Sequence, residues 1–282
     1  MRVRLVRAIE KPMHTFVKLS FAAIMLAPAG GFAAEAAARI EAGSFKSVLS
    51  LTERAEEVVI GEFLLARKPV TNREFLGFVR RYPDWRRDAA MPLFADQNYL
   101  AHWEGALTLG ATALPGQPLI NVSWFAARAY CEAEGGRLPT WHEWEYVAAA
   151  DETETDARSN PAWRQTILSW YSETGGKALP EVGGRSANAW AVHDMHGLIW
   201  EWVDDFNALL VSGDSREQSG ADKMQFCGAG AAAMEEKENY AVLMRTAMLS
   251  SLRGRDTTRN LGFRCAYDAS RNPSATMRTR GE

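Results

Sequence analysis

The sequence predicts a loop-rich fold in which short strands and short helices share one domain. Three observations carry that prediction. Strand signals near the start are brief and interrupted by glycine, in residues 40–45 and 58–65. Helical signals come in short blocks, each opened by a residue suited to capping, at Thr71 or Asn72, Ser123 and Thr140. Ten tryptophans, several in repeated aromatic–polar contexts (Trp141, Trp144, Trp200, Trp202), supply large packing anchors whose N–H groups demand partners.

The N-terminal 34 residues read as a secretory signal. Arg2, Arg4, Arg7, Lys11 and Lys18 precede an apolar run over residues 19–27, which is too short to span a bilayer and is broken by Pro28-Ala29-Gly30-Gly31. Small residues follow, so cleavage after Ala33 or Ala36 is expected, and Met13 is a second candidate start. An uncleaved anchor is the competing reading. The leader carries a net +4, so its removal takes the whole-chain charge of −3 to −7. An acidic mature protein lacks the basic face that nucleic acid requires. No later apolar stretch reaches membrane-spanning length, so no membrane association is expected after cleavage, and the leader directs the protein to the periplasm.

Residues 35–268 read as the folded domain. Ile40 to Phe45 forms a short strand entering a turn, and Val58 to Leu65 a strand with a glycine bulge or turn at Gly61. Thr71 or Asn72 caps a helix whose apolar face is Phe75, Phe78 and Val79. Residues 82–118 are irregular and rich in proline, which marks functional surface. Ser123 caps a helix from Trp124 to Ala133 that stops at Gly135-Gly136. Thr140 and Glu143 form a capping box for a helix from Trp141 to Ala150. Residues 151–161 read as a mobile polar loop, and the tail 269–282 as disordered.

Several short motifs together resemble the formylglycine-generating enzyme (sulfatase-modifying factor) family. They are Pro69-Val70-Thr71-Asn72, Asn121-Val122-Ser123-Trp124 with Ala129-Tyr130-Cys131, Gly136-Arg137-Leu138-Pro139-Thr140, and Glu143-Trp144-Glu145-Tyr146. Asp194-Met195-His196-Gly197, Trp200-Glu201-Trp202 and Asn260-Leu261-Gly262-Phe263-Arg264-Cys265-Ala266 complete the set, in the family's order. The resemblance implies an α+β fold akin to C-type lectins, with little regular secondary structure. Catalytic members oxidise a substrate cysteine with oxygen, using two thiolates that bind copper(I), a soft ion that needs such ligands. Here the matching stretch, Phe226 to Glu236, places Ala232 and Lys237 at those positions, or Glu236 when counted back from Cys265. Neither count meets a cysteine, so copper is not expected.

The resemblance also implies a disulfide between Cys131 and Cys265. It leaves Cys227 as a buried small apolar residue or a reactive thiol. It maps a calcium loop onto this chain, with side-chain oxygens from Asp194 and Glu201 and carbonyls from Gly197 and Ile199. Leu198 stands where the family usually has Asn, and a metal-free turn is the competing reading. The family's second calcium site is not reproduced by residues 169–176. His193 and His196, with His142 and His102 as further candidates, lack the helical spacing of common zinc pairs and read as hydrogen-bonded histidines. Glu143, Glu145, Asp204 and Asp205 read as structural or solvated. Arg253-Gly254-Arg255-Asp256 reads as a solvated turn, with a recognition loop as the alternative.

Residues 226–230, 240–251 and 259–263 further resemble the NirV-like branch, proteins encoded beside copper nitrite reductases. That resemblance implies a periplasmic accessory or maturation factor with the reductase as partner. Two alternatives stand beside it. One is a non-copper oxidoreductase tailoring a small molecule in the periplasm, with a cleft lined by Trp200, Arg245 and Glu235 or Glu236. The other is a lectin-like binder.

Overall fold

A computed structural model describes residues 36–49, 57–173, 178–207 and 240–270. The expected leader, the stretch from Phe226 to Lys237 with Cys227, and the tail from residue 271 lie outside the described residues. Strand β1 (Ala37–Ile40) pairs antiparallel with β4 (Phe63–Ala66), whose other edge takes β7 (Ala266–Asp268). The two ends of the domain therefore meet on one three-stranded sheet. Strands β2 (Gly43–Lys46) and β3 (Glu57–Ile60) form a second antiparallel pair.

Each of the two expected N-terminal strands is in fact two. Side chains on a strand alternate faces, so residues an odd number apart point oppositely. Ile60 and Phe63 are both buried, as are Ile40 and Phe45. A continuous strand buries only one member of each pair. The chain breaks at Gly61-Glu62 and at Glu41-Ala42, and both members reach the core.

Helix α1 (Asn72–Arg81) starts at Thr71, whose hydroxyl accepts from the Glu74 N–H while the Glu74 carboxylate accepts from the Thr71 N–H. Its Phe75, Phe78 and Val79 are buried, as the spacing predicts. A 3-10 turn, Pro83–Trp85, is the helical element of the following irregular segment. Helix α2 (Trp124–Ala133) is capped by Ser123, and Gly135 beyond its end takes the left-handed φ of +79° that suits glycine. Helix α3 (Trp141–Ala148) has the predicted Thr140–Glu143 capping box. It ends two residues early because its last carbonyls find other donors. The Ala148 carbonyl accepts from His196 and that of Ala149 from the Ala157 N–H.

Residues 151–160 form an anchored turn. Asp151 accepts from the backbone of Thr153 and Glu154, and Ala157 is fully buried. Helix α4 (Pro161–Glu173) follows, in a stretch to which the sequence reading assigns no element. Asn160 caps it by accepting from the Ala162 N–H, and Pro161 occupies its first position. Helix α5 (Tyr240–Ser250) is a second such case. Strands β5 (Trp200–Glu201) and β6 (Leu261–Gly262) pair in parallel. Gly262 is required there, since a Cβ would lie 2.1 Å from the Leu119 carbonyl oxygen.

The core is aromatic. Phe75, Phe78, Tyr130 and Phe263 pack ring against ring with centroids 5.2–6.3 Å apart. Trp103, Trp141, Trp144 and Trp202 are fully enclosed, and each indole N–H has an acceptor: Asn72, Glu145, Glu201 and the Val122 carbonyl. A disulfide joins Cys131 on α2 to Cys265 beside β7, across a sequence separation of 134.

Candidate functional site

The parallel pairing of β5 with β6 brings Glu201 beside Arg264. Both side chains are fully buried. Arg264 grips the carboxylate through two bonds, Nε to Oε2 at 2.8 Å and Nη2 to Oε1 at 2.7 Å, and the Trp144 indole donates to Oε2 at 2.9 Å. Arg264 also donates to the His193 carbonyl at 2.9 Å. Arg245, on α5, stacks its guanidinium 3.5 Å from the centre of the Trp144 ring and donates to the Glu201 carbonyl. Arg245 is thus buried among the described residues. Glu235 and Glu236 lie outside the described residues.

Trp200, on the other side of β5, lines a cleft of about 780 Å³ with Leu198, Ile199, His102, Asn72 and Asn260. The Asn72 amide donates to the carbonyls of Leu114 and Gln117, which leaves its oxygen as an acceptor. The Trp103 indole and His102 Nε2 both reach that oxygen, at 2.9 and 3.0 Å. His102 therefore carries its proton on Nε2. Burial, reinforced by the Arg87 charge, lowers its pKa to about 4. It is a neutral imidazole near pH 7. Sequence reasoning listed His102 among possible metal ligands and missed its link to Asn72. The paired Asn72 and His102-Trp103 motifs carry no spacing that marks them as partners.

The other histidines disperse. His196 is buried and donates through Nε2 to the Ala148 carbonyl at 2.8 Å, and burial lowers its pKa to about 4 against the raising effect of that bond. His193 contacts the Arg185 carbonyl through Nδ1 at 2.8 Å. His142 packs edge-on to Phe45. Among the described residues, no three His, Cys, Asp or Glu side chains group as a metal site. Of the four carboxylates read as structural or solvated, Glu143, Glu145 and Asp205 have structural partners and Asp204 is exposed. Glu143 caps α3 and binds Arg137, and Asp205 accepts from the Trp141 N–H. Glu145 is buried, which raises its pKa against the opposing bonds from Ser47 and Val48.

The calcium loop that the resemblance implies does not fit these donors. Glu201 spends both oxygens on Arg264 and Trp144, and a hard cation there faces a buried guanidinium. Asp194, at a left-handed φ of +58°, turns Oδ2 to the Gly183 N–H. Gly197 shares that left-handed region at φ +77°, and Ile199 is buried between them and Glu201. Residues 169–173, part of the stretch matched to the second calcium site, belong to α4. No helix among the described residues is long and apolar enough to cross a membrane.

Capped short helices, a sheet that joins both ends of the domain and a buried Glu201–Arg264 pair make up a loop-rich α+β domain. The chain belongs to the family described as sulfatase-modifying factor enzyme 1-like domain, whose model matches residues 20–269. It is 31% identical over 196 residues to the formylglycine-generating enzyme of Streptomyces coelicolor, covering 60% of this chain and 59% of that one. It is 28% identical over 252 residues to inactive C-alpha-formylglycine-generating enzyme 2 of Mus musculus, covering 77% and 79%. Hercynine oxygenase of Mycobacterium tuberculosis is 31% identical over 168 residues, covering 54% and 40%. The chain thus spans 59% and 40% of the length of the two relatives named for an activity.

Proposed function

We propose that this chain is an exported accessory protein that uses the sulfatase-modifying-factor scaffold to hold a partner, with copper nitrite reductase as that partner. The observation that carries the reading is the cysteine arrangement. Of three cysteines, Cys131 and Cys265 are joined, which leaves Cys227 as the single thiol. A copper(I) centre built on two thiolates needs one more than this chain has. Similarity over more than three quarters of the chain to a mouse protein named as inactive supports a scaffold kept without the reaction. The basic, apolar N-terminal segment supports export to the periplasm.

The test is affinity capture of the tagged mature protein from the periplasm of nitrite-respiring cells. Stoichiometric copper nitrite reductase is expected, with no oxygen uptake when the protein is given a sulfatase-type cysteine peptide. Copper-dependent oxygen uptake with that peptide sinks the reading.

A second reading, a non-copper oxidoreductase acting on a small molecule, is favoured by the cleft of about 780 Å³ and by similarity to hercynine oxygenase. It predicts an unmodified small molecule accumulating in a deletion strain. An unchanged metabolite profile counts against it.

A further inference from the structure

The turn Arg253-Gly254-Arg255-Asp256 takes no part in the site above, yet it is tied into a second surface. It closes one side of a cleft of about 570 Å³ whose other side is the segment 87–99. Three guanidiniums line this cleft, those of Arg87, Arg253 and Arg255, together with Asp96 and Asp256. Asp96 holds the two segments together, and Asp256 closes the arginine turn on itself. Asp96 accepts from the Asn98 N–H, the Thr257 N–H and the Thr257 hydroxyl at 2.6–3.0 Å, while its own N–H donates to the Arg255 carbonyl. Asp256 accepts from the N–H and Nε of Arg253. Arg87 and Arg255 are each held by one backbone carbonyl, those of Trp103 and Pro92. Neither pairs with a carboxylate among the described residues.

Apolar side chains flank this cation cluster. Met91 is 56% exposed and Leu93 is 68% exposed, on either side of Pro92. The segment that carries them is firmly backed. Phe94 packs against Trp85 and Phe125, and Gly254 sits so close to Phe125 that a Cβ would meet its ring at 3.1 Å. One aromatic platform therefore presents both the arginine turn and the Met–Leu rim. Methionine and arginine are the residues enriched where proteins meet, and a rigid presentation lowers the ordering cost of binding. On a chain of net charge −3, the three guanidiniums outnumber the two carboxylates of the lining, a local positive excess that favours acidic partners.

We propose that this face docks an acidic, apolar-bearing segment of a partner protein, which rests on the accessory reading for its partner being a protein. The probe is a fluorescein-labelled peptide of alternating Glu and Leu, followed by anisotropy. Saturable binding is expected, weakening as salt rises from about 0.05 to about 0.5 M. The double variant Arg253→Glu/Arg255→Glu is expected to weaken it at least about tenfold. Met91→Ser/Leu93→Ser, at exposed positions whose loss leaves the core intact, is expected to weaken it as well. Arg39→Glu, a charge reversal on β1, is the control and leaves binding unchanged.

No saturable binding, or equal loss in the Arg39→Glu control, overturns the proposal. Competition by inorganic phosphate with no effect of the Met91/Leu93 change also overturns it, and marks a small-anion site instead. The same variants tested in reductase capture separate the two readings. A wild-type protein that binds the peptide but captures no reductase sinks the accessory reading and leaves the docking face. Undiminished capture of reductase by the arginine variant sinks the docking face alone.

Discussion

Glu201 and Arg264 are 63 residues apart in sequence and meet where no water reaches. Desolvating two charges is costly, and only their paired geometry with the Trp144 indole offsets it. Glu201→Gln leaves a buried guanidinium without its counter-charge, and a loss of about 3–5 kcal/mol in unfolding free energy is expected from urea titration. The double change Glu201→Gln/Arg264→Met is expected to cost less than the sum of the two single changes, since it removes both charges. His196 predicts a pH dependence. Its folded pKa is about 4, below the 6.5 of an open imidazole, because burial disfavours the cation. The unfolded chain binds a proton below pH 6.5 that the folded chain takes up only near pH 4. Stability is therefore complete above pH 6.5 and falls on acidification through that window, by on the order of 2 kcal/mol at pH 5. His102, shifted the same way, adds to the fall. Thermal melts between pH 7 and pH 5 check the slope, and His196→Gln is expected to flatten it.

Among the elements, the capping boxes are the features most directly written in the chain. Thr140 accepts from the Glu143 N–H, Glu143 returns the bond to the Thr140 N–H, and Arg137 clamps the same carboxylate at 2.6–2.7 Å. Thr140→Ala is expected to lower stability by about 1 kcal/mol, and Thr140→Ser to retain most of it, in chemical denaturation. Three helices were legible because their signals are local: a cap, apolar positions on one face and, in α1 and α3, an acidic third residue. Helix α4 offered Asn160-Pro161, a cap followed by a first-turn proline, but the polar run before it masked that start. Helix α5 lies in a stretch whose motif resemblance hid its helical character. The break at Gly61-Glu62 was signalled by its glycine, while that at Glu41-Ala42 follows from which side chains the core accepts, of which local propensity holds no record. The partners of Glu201 were illegible for the same reason. A carboxylate in a tight loop suits calcium equally well on paper, and only the parallel pairing of β5 with β6 reveals the guanidinium that occupies it.

For the described domain as a whole, the consequence is that its first and last strands are fastened in one place. Sheet β1–β4–β7 carries the first and last described strands on either edge of β4, and the Cys131–Cys265 bond ties the last of these to α2. A crosslink across a sequence separation of 134 removes much of the freedom of the unfolded chain. In the chain-entropy picture this stabilises by about 4–5 kcal/mol. Cys131→Ala/Cys265→Ala is expected to lower the unfolding free energy from urea titration by that amount, with a fall in the midpoint, and a reducing agent added to the wild-type protein to reproduce the shift. The thiol count separates a missing bond from a bond that matters little. Denatured wild-type protein is expected to titrate one thiol per chain before reduction and three after it, the single thiol being Cys227. Three thiols before reduction mean that the bond does not form, and the cysteine argument for an accessory role then loses its footing. One thiol with an unmoved midpoint means that the sheet alone holds the ends together. An oxidising compartment is where such a bond persists.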